Sequence, residues 1–304
     1  MINDHALCGV YAAAVTPLKS DGTIDCEAMP EFLGYLAGRG CHGALVLGTT
    51  GEGPSFSSAE RVEIIRAAMV VRRQYPNFRI LAGTGTPSLE ETAGLTQEAF
   101  ALGVDGVVVL PPYYFKKVSD DGLFEWFRQI ILRAVPPRGY LLAYHIPPVT
   151  GVSISIELIA RLKDAFPEQF AGLKDSSGDP QHAQKLGQVF RKELLVMNGN
   201  DRLFSLALQN QASGCITAMA NLTSPMLRQV WNQTNLGEQD NETQTRLNAA
   251  REVLEAFPPA AAFVKEILYR QHQFPRWGVR HPLLPLSREL AEQATDRWTK
   301  LSHV

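Results

Sequence analysis

Lys174 carries the clearest chemical signal in the sequence. It follows Phe170-Ala171-Gly172-Leu173, a short apolar run that reads as a buried strand, and precedes Asp175-Ser176-Ser177-Gly178, which reads as the loop leaving it. An ammonium held at the mouth of such a strand is poorly solvated, which favours the neutral amine, and a neutral amine attacks ketones. The plainer alternative is a lysine whose stem lies along the strand end while its head reaches water. Tyr144 ends another apolar run, Tyr140–Tyr144, one strand earlier. A phenol there can move protons for a reacting carbonyl once a neighbouring cation favours its ionised form, or it can simply cover the core. His145 is expected to face away from Tyr144, because side chains alternate along a strand.

Two further segments bear on the same chemistry. Gly48-Thr49-Thr50-Gly51-Glu52-Gly53 combines turn-permitting glycines with two hydroxyls, so its backbone N–H groups and threonines suit a carboxylate. On spacing alone, an ordinary glycine turn with a threonine capping the next helix fits equally well. Neither this segment nor Gly83-Thr84-Gly85 matches a dinucleotide or P-loop fingerprint, so no nucleotide is expected. In Pro111-Pro112-Tyr113-Tyr114-Phe115 the prolines stiffen a loop that projects aromatics into a pocket, a subunit contact or the core. The histidines at 5, 42, 145, 182, 272, 281 and 303 form no paired ligand motif, and no carboxylate cluster stands out, so no metal is expected. With no serine elbow either, amine-based covalent catalysis on a small oxo acid remains the best chemical reading.

These residues need a frame. Apolar, β-branched runs recur at Gly9–Val15, Gly43–Leu47, Arg79–Ala82, Gly106–Leu110, Tyr140–Tyr144, Phe170–Leu173, Leu194–Met197 and Gly214–Thr217. Several are continuously apolar, as in parallel strands covered on both faces. Between them lie helical patterns, such as Ser57–Tyr75 behind a Ser57…Glu60 cap and Ser153–Phe166 ending before Pro167. Eight strand-helix units predict a (β/α)8 TIM barrel over residues 1–225, with active-site loops at the carboxyl ends of the strands. A doubly wound sheet is the alternative, since alternation alone does not establish closure. Residues 226–304 show helical patterns and no clear strand: a polar turn near Asn232–Asn241, then a helix from Pro258-Pro259 carrying Phe263, Ile267 and Leu268. They predict a C-terminal helical extension.

Composition narrows the partners. A formal charge of −2 over 304 residues provides no basic stripe for nucleic acid, and no apolar stretch is long enough to span a membrane. The amino terminus lacks a cationic leader, so the expected location is cytoplasmic. Cys8, Cys26, Cys41 and Cys215 lie far apart and predict buried thiols instead of a zinc or disulfide framework.

Taken in order, GTTGEG at 48–53, PPYYF at 111–115, YHIPPVTG at 144–151 and GLKDSSGD at 172–179 resemble the dihydrodipicolinate synthase and N-acetylneuraminate lyase family over essentially the whole chain. The resemblance implies a (β/α)8 barrel with a helical extension, a homotetramer, Schiff-base chemistry on pyruvate or a pyruvate-containing substrate, and no metal or organic cofactor. It gives Lys174 the role of Schiff-base lysine and Tyr144 that of proton carrier beside it. Thr49 and Thr50 match the pair that holds the pyruvyl carboxylate and joins a hydroxyl relay, and Tyr114 the tyrosine offered across a subunit contact. Gly199 and Ile216 fall where the family lines the pyruvate end of its pocket.

The departures concern substrate. Val149 stands where the synthases have an arginine for the carboxylate of aspartate semialdehyde, and an apolar side chain cannot make that bidentate pair. Lysine biosynthesis is therefore disfavoured. Lys174-Asp175-Ser176-Ser177-Gly178 looks closer to aldolases of hydroxy-oxoglutarate and keto-deoxy sugar acids than to sialic-acid lyases. His145 and Phe115 each replace a commoner asparagine. The expected function is a class I pyruvate aldolase or lyase acting on a 2-keto-3-deoxy sugar acid or 4-hydroxy-2-oxo acid, with Val149, Asp175 and Ser176 near the aldehyde half. A dehydratase using the same lysine, or a non-catalytic oxo-acid binder, is the alternative.

Overall fold

The computed structural model describes residues 5–302. Its strands are β1 (Gly9–Ala13), β2 (Gly43–Val46), β3 (Arg79–Gly83), β4 (Gly106–Val109), β5 (Leu141–His145), β6 (Phe170–Asp175), β7 (Leu195–Asn198) and β8 (Gly214–Thr217). They pair in parallel and in sequence order, and β8 returns to β1 to close the barrel. The doubly wound alternative is thereby excluded. The helices on its outside are α1 (Ala28–Gly38), α2 (Ser58–Met69), α3 (Leu89–Ala101), α4 (Asp120–Ala134), the single turn α5 (Pro147–Thr150), α6 (Ile156–Ala165), α7 (Pro180–Phe190), α8 (Phe204–Gln209) and α9 (Ala220–Asn235). Then follow α10 (Asn241–Ala256), α11 (Ala260–His272) and α12 (Arg288–Ser302).

The apolar runs are continuous because each strand is buried on both faces. In β4, Val108 joins the layer inside the barrel, while Val107 and Val109 join the larger layer between strands and helices. The inner layer also takes Tyr11, Leu45, Leu81, Leu142, Tyr144, Met197 and Ile216. Serines start several helices. Ser57 accepts from the Glu60 N–H and Glu60 reaches back to Ser57, a complete capping box, while Ser88, Ser119 and Ser155 cap α3, α4 and α6. The Ser57–Tyr75 pattern contains a change of pitch: α2 ends at Met69 and a 3-10 turn runs over Val70–Arg73. Cys41 and Cys215 are buried, whereas Cys8 and Cys26 are only half-buried, and none of the four is in a disulfide.

Residue 225, the division point read from the sequence, lies inside α9. Pro225 cannot donate to the helix ladder and crowds the carbonyl four residues back, and the backbone leaves helical geometry at Thr223. The Arg39 guanidinium donates to the Leu222 carbonyl at this kink. The last turn of α9 extends into the segment expected to be a turn, and the chain reverses over residues 236–240. Phe263, Ile267 and Leu268 of α11 are fully buried, as their spacing requires.

The extension is joined to the barrel by a buried ion pair. Lys265 of α11 donates to Glu52 Oε1 at 2.6 Å and to the Gly278 carbonyl at 2.6 Å, while Glu52 Oε2 accepts from the Arg280 N–H at 2.6 Å. Both charges are withdrawn from water and each makes two hydrogen bonds, the kind of compensation under which such a pair is tolerated.

Candidate active site

At the carboxyl end of the barrel, β5 and β6 place Tyr144 opposite Lys174 and His145 opposite Asp175. Lys174 belongs to the strand itself, not to its exit, and is 3% exposed. Its Nζ lies 4.1 Å from the centroid of the Tyr144 ring, where the ring's π face attracts a cation. The Tyr144 hydroxyl is 3.3 Å from Thr49 Oγ1. Burial raises the pKa of this phenol, but the Lys174 charge and hydrogen bonding with Thr49, Lys174 and Ser176 together outweigh it, so Tyr144 ionises below the ordinary phenol range. A lysine and an acidified phenol thus lie side by side, both buried, an arrangement suited to covalent attack on a carbonyl with proton transfer beside it.

The glycine loop after β2 brings Thr49 there. Its turn closes through Glu52 N–H to Thr49 O at 3.1 Å and Gly53 N–H to Gly48 O at 3.1 Å, with Leu47 and Glu52 both at positive φ. Gly53 is required by contact, since a Cβ would stand 2.0 Å from the Leu47 carbonyl oxygen. Thr50, which follows Thr49, is buried. Gly199 and Ser176 form a second fitted pair: a Cβ on Gly199 would stand 1.9 Å from Ser176 Oγ. The Gly199 N–H donates to the Asp175 carbonyl and the Ser176 N–H to the His145 carbonyl, fixing the chain as it leaves β6. Ile216 lies in the inner layer, opposite Tyr11.

The structure therefore gathers Lys174, Tyr144, Thr49 and Ser176, with Gly199 and Ile216 behind them. It does not bring Tyr114, Val149 or Asp175 into this group. Tyr114 is 74% exposed and meets Phe115 edge to face, on a loop held by Lys116, whose ammonium donates to the Tyr113 and Thr150 carbonyls. Val149 is 62% exposed on α5. Asp175 is turned to the opposite side of the sheet from Lys174, because adjacent residues of a strand alternate; it accepts from the Ser177 N–H and faces His145 and His182 of α7. His145 does face away from Tyr144, as expected.

His145, Asp175 and His182 offer ligand atoms within 4.8 Å of one another, a grouping that sequence spacing conceals. His145 Nδ1, however, accepts the Ile154 N–H at 3.0 Å, which places the proton of the neutral ring on Nε2 and makes that nitrogen a donor. His145 and Asp175 each accept a backbone N–H, and His145 stacks on His182, whose Nε2 is buried with no hydrogen-bond partner among the described residues. Burial and then the neighbouring His182 lower the His145 pKa to about 4, and burial raises that of Asp175.

Comparison with known proteins agrees with the barrel fold. The family model described as the dihydrodipicolinate synthetase family matches residues 6–300. An uncharacterized DapA-like lyase of Chloroflexus aurantiacus is 39% identical over 284 residues, 92% of each chain. The 4-hydroxy-tetrahydrodipicolinate synthase of Marinobacter nauticus is 30% identical over 295 residues, 95% of this chain and 97% of that one. Among solved structures, dihydrodipicolinate synthase from Agrobacterium tumefaciens superposes with a TM-score of 0.86 at 32% identity, covering 96% of this chain and 99% of the other. The chain belongs to the dihydrodipicolinate synthetase family, whose members are aldolase-type carbon–carbon lyases.

Proposed function

We propose that the protein is a class I pyruvate aldolase that reversibly cleaves a 2-oxo acid of the 2-keto-3-deoxy sugar acid or 4-hydroxy-2-oxo acid type. The observation that carries this reading is the buried contact of Lys174 with Tyr144, itself bonded to Thr49. The Lys174 amine attacks the C2 ketone and water leaves, giving an iminium. Tyr144 takes the proton of the C4 hydroxyl, that oxygen becomes the aldehyde carbonyl, and the C3–C4 electron pair flows into the iminium. Pyruvate remains as its enamine, which is protonated at C3 and hydrolysed to free the lysine. Thr49 and the backbone N–H groups of the glycine loop hold the carboxylate, and Thr50 passes the Tyr144 proton onward. The iminium supplies the electron sink, so the chemistry calls on no metal or organic cofactor.

A synthase reading has the curated relatives in its favour. It needs a cation for the carboxylate of the second substrate. Val149 offers none, and the nearby Lys116 is committed to two carbonyls. A dehydratase would keep the lysine and eliminate a hydroxyl instead, releasing no aldehyde. Tyr114 and Phe115, both strongly exposed, suit a contact with a second copy that would deliver Tyr114 to the relay, and a homotetramer is the assembly this reading expects. Among the described residues no helix is long and apolar enough to cross a membrane, which is compatible with a cytoplasmic enzyme.

Incubation with pyruvate and borohydride should leave a reduced adduct on Lys174, located by peptide mass spectrometry; an unlabelled wild-type protein refutes the Schiff base. Screening 2-oxo-3-deoxy acids for pyruvate release then separates aldolase from dehydratase. Light scattering tests the tetramer.

A further inference from the structure

The side of the sheet that Lys174 occupies is not the one a regular strand would give it. In β5 the faces alternate without interruption: Leu141 and Ala143 lie in the outer layer, Leu142 and Tyr144 in the inner one. Across the ladder Leu141 pairs with Phe170 but Leu142 pairs with Gly172, so Ala171 is an extra residue in β6 with no partner in β5. Phe170 and Leu173 are both in the outer layer although three positions apart, while Ala171 packs against the inner one. Alternation counted from Phe170 without a bulge would send Lys174 outward among the helices. With the extra residue, Lys174 turns inward onto Tyr144 and Asp175 outward onto His145.

Gly172 permits this step. Its φ of +150° is one that side-chain-bearing residues rarely adopt, and a Cβ there would stand 2.0 Å from the Leu195 carbonyl oxygen, a backbone atom of β7 with no freedom to yield. Bulges re-aim side chains next to active sites. We infer that the Ala171-Gly172 bulge is the positioning device that aims Lys174 into the barrel, with Gly172 its required residue. This rests on the Schiff-base reading of Lys174. It also predicts that two opposite changes cancel: with Ala171 removed, the strand regains simple alternation and Lys174 still faces inward.

The test is pyruvate labelling with borohydride, with folding followed by circular dichroism and melting. Wild-type labelling addresses the lysine's role and the variants address the bulge, so the two can fail separately. Gly172→Ala should label roughly 100-fold more slowly than wild type, the scale of a misplaced reacting group. Deleting Ala171 from Gly172→Ala should restore labelling to within about 10-fold of wild type, a recovery that loss of packing alone would not show. Gly172→Ala labelling at the wild-type rate overturns the inference, as does a double variant that is folded yet unlabelled. If Gly172→Ala does not fold, deletion of Ala171 alone decides: a folded, labelled protein upholds the device, and an unfolded or unlabelled one rejects it.

Discussion

Two residue pairs on the same two strands, one position apart, have opposite characters. Tyr144 and Lys174 face the inside of the barrel, where phenol and ammonium meet face-on and the phenol is acidified. His145 and Asp175 face outward, where burial suppresses both charges: the imidazole is held neutral and the carboxyl is pushed upward. The inner pair turns its polar atoms toward each other and toward Thr49. The outer pair spends its hydrogen bonds on backbone, with His145 receiving Ile154 and Asp175 receiving Ser177. Residue type therefore says little about role here, and the face of the sheet says a great deal.

The comparison breaks most sharply at the lysine. Lys174→Ala should lower turnover by at least about 10³-fold and abolish the pyruvate adduct. A variant retaining full velocity would end the covalent mechanism. Tyr144→Phe preserves the ring beneath the ammonium but removes the proton carrier, and should cost on the order of 10²- to 10⁴-fold in kcat, with adduct formation slowed. Gly199→Ala, by driving a methyl into Ser176, should lower kcat/KM by roughly 10- to 100-fold; unchanged kinetics would show that Ser176 is free to move aside.

For the outer pair the expected signature is reversed. His145→Ala strands the buried Ile154 N–H and should cost about 1–3 kcal/mol in urea unfolding while leaving kcat/KM within about 3-fold of wild type. A large kinetic effect with unchanged stability would move His145 into the chemistry. The smallest effect is one of pH. The folded imidazole titrates near 4 and the unfolded one near 6.5, so the unfolded chain binds more protons between these values. The stabilisation is fully present above pH 6.5 and declines as the pH falls toward 4. Asp175, with its raised pKa, opposes this toward the acid end. Unfolding measured at pH 7 and pH 4.5 should show a shallower loss for His145→Asn than for wild type, by on the order of 1 kcal/mol; parallel losses would assign the acid sensitivity to other groups.

The barrel was legible because its evidence is repeated. Each strand carries the same apolar run, and β8 appears in the sequence as Gly214–Thr217, the segment the structure shows. Lys174, Tyr144 and Thr49 lie in recognisable motifs, two inside strands and one in the loop after β2, and the structure brings Tyr144 against both of the others. Asp175 faces away from Lys174 for the same reason that His145 faces away from Tyr144, and its charge alone gives no sign of this. The bulge left its only trace in Gly172, and a glycine inside an apolar run does not announce which neighbour is the extra one. The partners of Glu52 were also concealed, since Lys265 and Arg280 lie more than two hundred residues away and nothing local marks them.

That long-range tether limits how the chain can be rebuilt. Glu52 immediately follows the segment that carries Thr49 and Thr50, and its two oxygens are claimed by the far end of the polypeptide. Trimming the carboxy-terminal quarter, or grafting another in its place without an equivalent amine, would strand an anion in a buried interior two to three positions from Thr50 and Thr49. Modular transplantation of the first 225 residues is thus an unsafe engineering route, because the loop after β2 borrows its anchorage from the appendage.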